Sequence, residues 1–152
     1  MDATPSTAAP VHPLIANLVA RHGFAELTAE TFDAWAAAPG HALVAFVEEP
    51  AKLKESLDLA VIAPELGRAA PGAFRCAVLM PEAARAVAVR YGFRRWPALV
   101  LLRDGGYVGA IDGLRTWDDY VNELGRLLAS PVTRPPSVGV AVAGPRDAGA
   151  CG

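Results

Sequence analysis

Apolar and polar positions fall into distinct blocks along this chain, and the blocks predict a short helix followed by a β-α-β-α-β-α-β-β-α order. Leu14, Ile15, Leu18 and Val19 recur at the spacing of an amphipathic helix, which Gly23 can end. Phe24–Leu27 is a short candidate strand. Thr28 or Thr31 caps the next helix, with Glu30 and Asp33 favourable in its first turn. Phe32, Trp35 and Ala36 fall on one face of it, and Pro39-Gly40 stops it. Ala42–Val47 is apolar at every position, as expected of a strand covered on both faces.

Glu48-Glu49-Pro50 ends that strand. A loop carrying Lys52, Lys54 and Glu55 leads into a helix over Leu57–Arg68, where Leu57, Val61, Ile62 and Leu66 keep helical spacing. Pro64 lies inside that pattern and predicts a kink, because it removes a backbone donor. Phe74–Met80 reads as a strand with Arg75 at its edge, and Pro81 and Glu82 open a helix running to Tyr91-Gly92. A polar turn follows, with Arg94, Arg95 and an exposed Trp96, before Pro97 starts an apolar run to Leu102. Proline belongs at the first residue of a strand, and Trp96-Pro97 is a place where a cis bond is admissible. Asp104-Gly105 predicts a hairpin to Tyr107–Ile111, with Gly109 marking a bulge or a close approach. Thr116 to Asp119 has the form of a capping box, and Trp117, Tyr120, Val121, Leu124, Leu127 and Leu128 form a stripe read as core.

These elements assemble into one α/β domain over 14–130, a mixed central sheet flanked by helices on both faces. Residues 1–13 are rich in Ala, Pro, Ser and Thr and residues 131–152 in Pro, Gly, Ala and Val; they read as a disordered leader and tail, the tail carrying a Val138–Val142 run able to pair with a sheet edge.

Composition narrows the function by exclusion. A net charge of −2 with no basic stripe gives no nucleic-acid footprint. No apolar run approaches the roughly 18 residues of a membrane span. The first 13 residues lack a secretory signal pattern, so a cytoplasmic location is expected. The two cysteines, Cys76 and Cys151, form no CxxC, and His12, His22 and His41 supply no metal spacing. No cofactor is expected.

Leu43-Val44-Ala45-Phe46, Ile62-Ala63-Pro64, and Tyr91 to Leu102 with Asp104-Gly105-Gly106 and Gly113 together resemble a thioredoxin fold over roughly residues 24–129. They resemble, in turn, its central strand, its kinked second helix, and its cis-proline strand with hairpin. The redox motif of that fold would lie near Ala51–Lys54 or Ser56–Leu59, and neither slot holds a cysteine. Ala45 stands where thioredoxins bury an acid. Thiol exchange needs an attacking thiolate, which this place lacks. Gly92-Phe93-Arg94-Arg95-Trp96-Pro97 and Arg103-Asp104-Gly105-Gly106-Tyr107-Val108-Gly109 also resemble the hydrogenase expression proteins of the HyaE/HupG type. That resemblance implies a cytoplasmic, non-enzymatic chaperone in nickel–iron hydrogenase maturation. The partners it implies are the small-subunit precursor with its twin-arginine signal peptide and other hydrogenase maturation proteins.

The residues that suit such binding are Glu48, Glu49, Glu55 and Asp58 around the loop replacing the redox motif, with Arg95, Trp96 and Pro97 beside it. Carboxylates receive guanidinium groups through charge-assisted bonds, and an exposed tryptophan holds apolar chain or stacks on arginine. Arg94 and Arg95 either bind a carboxylate of a partner or close pairs with Glu48 and Glu49. The bland reading is a solvated loop and a tryptophan covering the core edge. Two further functions stay open: a generic thioredoxin-like interaction scaffold, and a thiol protein using Cys76.

Overall fold

A computed structural model describes residues 11–136. The proposed leader up to residue 10 and the Val138–Val142 run lie outside the described residues. The observed order is α1 (Pro13–Ala20), β1 (Ala25–Leu27), α2 (Phe32–Ala36), β2 (His41–Phe46), α3 (Glu55–Ala69), β3 (Arg75–Leu79), α4 (Pro81–Ala88), β4 (Ala98–Arg103), β5 (Gly106–Asp112) and α5 (Trp117–Leu128). The strands stand in the order β1-β3-β2-β4-β5, with β1, β3 and β2 parallel and β4 and β5 antiparallel. This is a thioredoxin-like α/β arrangement.

Alternation along the central strands sorts the core into two layers. Leu43, Ala45 and Val47 with Leu99 and Leu101 face α1, α3 and α5, where Ile15, Leu18, Leu59, Ala63, Tyr120, Leu124 and Leu127 cover them. Ala42, Val44 and Phe46 with Ala98, Val100 and Leu102 face α2 and α4, under Phe32, Ala36, Ala84 and Val87. A strand buried on both faces has no polar side to offer, which explains the unbroken apolar runs of β2 and β4. The parallel pairs require crossovers: α3 carries β2 to β3, and α2 and α3 lie within the longer path from β1 to β3.

Local chemistry accounts for most boundaries. The Thr28 and Thr31 hydroxyls exchange bonds with each other's backbone N–H groups at 2.9 and 3.1 Å, so both threonines shape the entry to α2. Thr116 caps α5 by accepting the Asp119 N–H at 3.1 Å. The helix expected to begin at Leu57 begins at Glu55, so Glu55 joins Asp58 in its first turn instead of lying in the preceding loop. Carboxylates there complement the positive helix N-terminus. Pro64 is accommodated within α3, at the cost of the Ala60 carbonyl's helical donor. Arg75 opens β3 between two neighbouring strands, and its guanidinium lies 4.2 Å from the Trp35 ring centre and donates to the Trp35 carbonyl at 2.9 Å. Residues after α5 do not leave the domain at once, because the Thr133 N–H donates to the Tyr107 carbonyl at 2.8 Å.

The α5 stripe departs from expectation. Tyr120, Leu124 and Leu127 are buried, but Trp117 and Val121 are exposed. Helical side chains lean toward the N-terminus, so Trp117 at the first position projects beyond the turn that the sheet covers. Val121 is three residues from Leu124, about 60° round the helix, at the border of the stripe.

Gly109 serves both roles that its place in the strand suggested. Leu101 pairs with Gly109 and Leu102 with Tyr107, so the ladder bulges at this point. A Cβ on Gly109 would stand 2.4 Å from Leu127 Cδ2 in the buried layer beneath α5. Gly109→Ala should therefore destabilise the domain by about 1–3 kcal/mol through overpacking, measured as a lower urea midpoint with unchanged slope.

Candidate functional site

The ends of β2, β4 and β5 meet at one end of the sheet, where β2 leaves the core and β4 enters it. Val47 is the last fully buried residue of the run. The next N–H, of Glu48, donates at 3.0 Å to the hydroxyl of Ser56, a buried polar side chain in the first turn of α3. That bond ties the strand end to the helix start. Between them, the Lys52 and Leu53 N–H groups donate to the Glu49 carbonyl at 2.8 and 2.9 Å and fold the loop into a turn.

The two glutamates have partners in the chain. Arg85 of α4 donates to the Glu48 carboxylate, which also accepts the Glu49 N–H at 2.8 Å. Partial burial pushes the Glu48 carboxyl upward, but the Glu49 N–H and Arg85 outweigh it and hold the group below its ordinary value. Lys52 Nζ stands 3.9 Å from the Glu49 carboxylate, an exposed pair of small energetic weight. Pairing of Glu48 and Glu49 with Arg94 and Arg95 is thus overturned: Arg85 and Lys52 take those places. Glu55 and Asp58 lie exposed on the first turn of α3.

The turn before β4 is held from the opposite side. The Asp112 carboxylate at the end of β5 accepts the Arg94 and Arg95 N–H groups at 2.8 and 3.2 Å. Arg115 completes the clamp, donating to the same carboxylate at 3.2 Å and to the Asp112 carbonyl at 2.9 Å. Burial raises the Asp112 pKa, yet the two backbone donors and Arg115 bring the net shift below the ordinary value. The Arg94 and Arg95 side chains point outward and pair with no carboxylate among the described residues. Gly113, at φ 73°, donates its N–H to the Pro97 carbonyl at 2.9 Å. A Cβ there would meet the Arg95 stem at 3.1 Å, so Arg95 lies across Gly113.

The Trp96–Pro97 peptide bond is cis. Trp96 is half-buried rather than exposed, and Pro97 is buried. Their surroundings explain this: the Trp96 ring meets Phe93 at 5.3 Å and Phe46 at 6.4 Å between centres, both edge-on. Phe46 and Phe93 are themselves 5.1 Å apart. Trp96 therefore caps an aromatic cluster under the α4 side and keeps one part of its ring in solvent.

The predicted residues share one end of the sheet but divide between its faces. Glu48 and Trp96 belong to the α4 side, through Arg85 and Phe46. Glu55 and Asp58 belong to the α3 side, in the first turn of that helix. Sequence reasoning missed Ser56, Arg85 and Asp112. Ser56 carried a usable signal, a hydroxyl beside a helix start, whereas Arg85 and Asp112 act across long chain separations. Among the described residues no group of three His, Cys, Asp or Glu side chains could hold a metal, and no helix is long and apolar enough to cross a membrane.

Comparison with known proteins places this geometry. A family described as Hydrogenase-1 expression protein HyaE matches residues 14–120, from α1 to the first turn of α5. The chain belongs to the HyaE family. It is 40% identical over 143 residues to the hydrogenase expression/formation protein HoxO of Cupriavidus necator, covering 93% of this chain and 89% of that one. It is 32% identical over 130 residues to the hydrogenase expression/formation protein HupG of Rhodobacter capsulatus, covering 83% and 94%. The HoxO protein of Azotobacter vinelandii is 33% identical over 119 residues, covering 78% and 80%. The HyaE-matched span includes Glu48, Glu49, Glu55, Asp58, Arg95, Trp96, Pro97 and Asp112. A role in hydrogenase expression or formation follows from this kinship.

The clamp at Asp112 yields a stability prediction with a definite sign. A carboxyl held below its unfolded value lets the unfolded chain bind more protons, so its contribution is present above the ordinary 3.8 and fades as pH falls through the folded value. Asp112→Asn should cost about 1–2 kcal/mol at neutral pH, because charged hydrogen bonds become neutral ones. Chemical denaturation at neutral and acidic pH should show the gap between the two proteins closing toward acid.

Proposed function

We propose that the protein is a non-enzymatic chaperone of nickel–iron hydrogenase maturation. It acts in the cytoplasm on the small-subunit precursor that carries a twin-arginine signal peptide. The observation that carries this reading is a HyaE family member whose strand-end site keeps the proline turn while the adjoining loop offers carboxylates in place of cysteines. Guanidinium groups of the signal peptide suit Glu49, with its exposed Lys52 pair, and Glu48, if they displace Arg85. The solvent-facing part of Trp96 adds apolar or stacking contact. Charged bonds are worth about 1.5–3 kcal/mol each when shielded and less at a rim, so two of them with a tryptophan support micromolar binding.

The Cys76 reading is disfavoured by its surroundings. Burial pushes that thiol up to about 11, leaving little thiolate at neutral pH. Cys76 pairs with Leu43, toward the opposite end of β2 from Glu48.

Co-purification of the full chain with the precursor, with and without its signal peptide, tests the role. Binding should require the signal peptide, and Trp96→Ala or Glu49→Lys should weaken it about tenfold, or 1.4 kcal/mol. Glu48→Lys/Glu49→Lys should lose more, with steeper loss of affinity for arginines. Cys76→Ser should support maturation as the wild type does. Equal binding of every charge and Trp96 variant would remove this surface from the mechanism.

A further inference from the structure

Beyond α5 the chain passes along the open side of the sheet. β5 is an outermost strand, so one row of its main-chain groups has no strand beside it. Residues 131–136 run past this edge as a strap. Val132 lies on Gly106 at the start of β5, where a Cβ would stand 2.6 Å from Val132 Cγ1. The Thr133 N–H donates to the Tyr107 carbonyl at 2.8 Å. Pro136 then reaches Gly92, where a Cβ would stand 2.3 Å from the Pro136 carbonyl oxygen. Gly92, at φ 66°, and Gly106 therefore seat the strap because neither carries a side chain. One belongs to the turn before Pro97 and the other to the hairpin, so the strap bridges the two segments that shape the candidate site.

The seat is light. A cleft of about 460 Å³ is lined by Tyr107, Val108 and Ala110 of β5 and by Thr133, Arg134 and Pro136 of the strap. Val132 is 49% exposed. A segment with one such backbone bond and little buried surface opens at low cost.

The strap fixes where the following residues start. Gly92 is two residues from Arg94, whose N–H the Asp112 carboxylate holds. It is four residues from Trp96, and their Cα atoms are therefore within about 14 Å. Phe93 and Trp96 meet edge-on at 5.3 Å, and each keeps part of its ring in solvent. The run Val138-Gly139-Val140-Ala141-Val142 begins two residues after Pro136. Extended, it would turn Val138, Val140 and Val142 to one face, and residues 137–142 would span about 20 Å. That reach and that apolar face match the two half-open rings. The β5 edge is the poorer seat for the run, because at Pro136 the chain already stands beside Tyr91 and Phe93 of the α4-side layer.

We propose that the strap tethers the Val138–Val142 run over Phe93 and Trp96, as a reversible cover of the candidate site that an incoming chain displaces. The inference rests on the chaperone role above only for what the cover keeps out.

The test uses the full chain, isotopically labelled, with a nitroxide on Ala141→Cys in a Cys76→Ser/Cys151→Ser background. The label should broaden the Phe93 and Trp96 amides and the Trp96 indole, and leave Ala25 on the opposite edge of the sheet unchanged. Thr133→Pro removes the donor to Tyr107, and Val138→Ser/Val140→Ser/Val142→Ser removes the apolar face. Each should abolish that selective broadening, and matching thermal melts will check that the variants fold. Without the cover, the triple variant should bind the precursor about threefold or more tighter, since a site open only part of the time binds in proportion to its open fraction.

Broadening spread evenly over the surface, or centred on Val108 to Ala110, overturns the proposal. So does broadening that passes between labelled and unlabelled copies in a mixed sample, since a second copy then supplies the cover. Equal precursor affinity of the wild type and the triple variant also overturns it, because nothing would then be displaced. If neither protein binds the precursor, the chaperone role falls, and the cover stands or falls on the broadening alone.

Discussion

The pairing of β2 with β4, buried on both faces, is the constraint from which the rest of the structure follows. Neither strand has a side that tolerates water, so helices must lie above and below them. Their main-chain groups are satisfied within the sheet, which leaves polar chemistry only at the strand ends. At the Phe46–Ala98 end the chain exits one strand and enters the other, and every polar bond of the candidate site gathers there. The register that puts Phe46 opposite Ala98 also sets the Phe46 ring under Trp96.

That end is built from interactions the chain makes with itself. Ser56 holds the exit of β2, Arg85 holds the Glu48 carboxylate, and Asp112 holds the turn before Pro97. Each fixes backbone or charge at a place where the sheet ladder no longer can. In a redox protein of this fold such a place would present a thiolate. Here the groups so positioned are carboxylates and aromatic edges. A surface of that kind belongs to a member of a family named for hydrogenase expression.

The legible and illegible parts of the site differ by range. The Glu48–Glu49 loop and the Arg94–Pro97 turn stood out because unusual residues follow one another in the chain. Their partners did not, because Arg85 is 37 residues from Glu48, and Asp112 is 18 from Arg94. No local pattern reveals which of several arginines a glutamate will meet. A pairing of Arg95 with Glu48 or Glu49, one of the two alternatives for that arginine, was chemically sound but topologically misplaced, since the Arg95 N–H is held by Asp112 and its stem lies across Gly113.

Sequence alone determined the element order, the two-faced burial of β2 and β4, the hairpin at Asp104-Gly105 and the thioredoxin-like class. Side-chain period, proline and glycine act locally, and those features need nothing more. Tertiary structure decided what each exposed or apolar residue faces. Trp96 looked exposed beside two arginines, but Phe46 and Phe93 arrive from elsewhere and half-cover it. Trp117 looked buried within a helical stripe, but at the first position of α5 it stands 44% exposed, while Tyr120 in the same turn is buried. Periodicity reports the direction of a side chain about its own axis. Whether anything lies in that direction depends on where the neighbouring elements stop, which only the packed fold establishes.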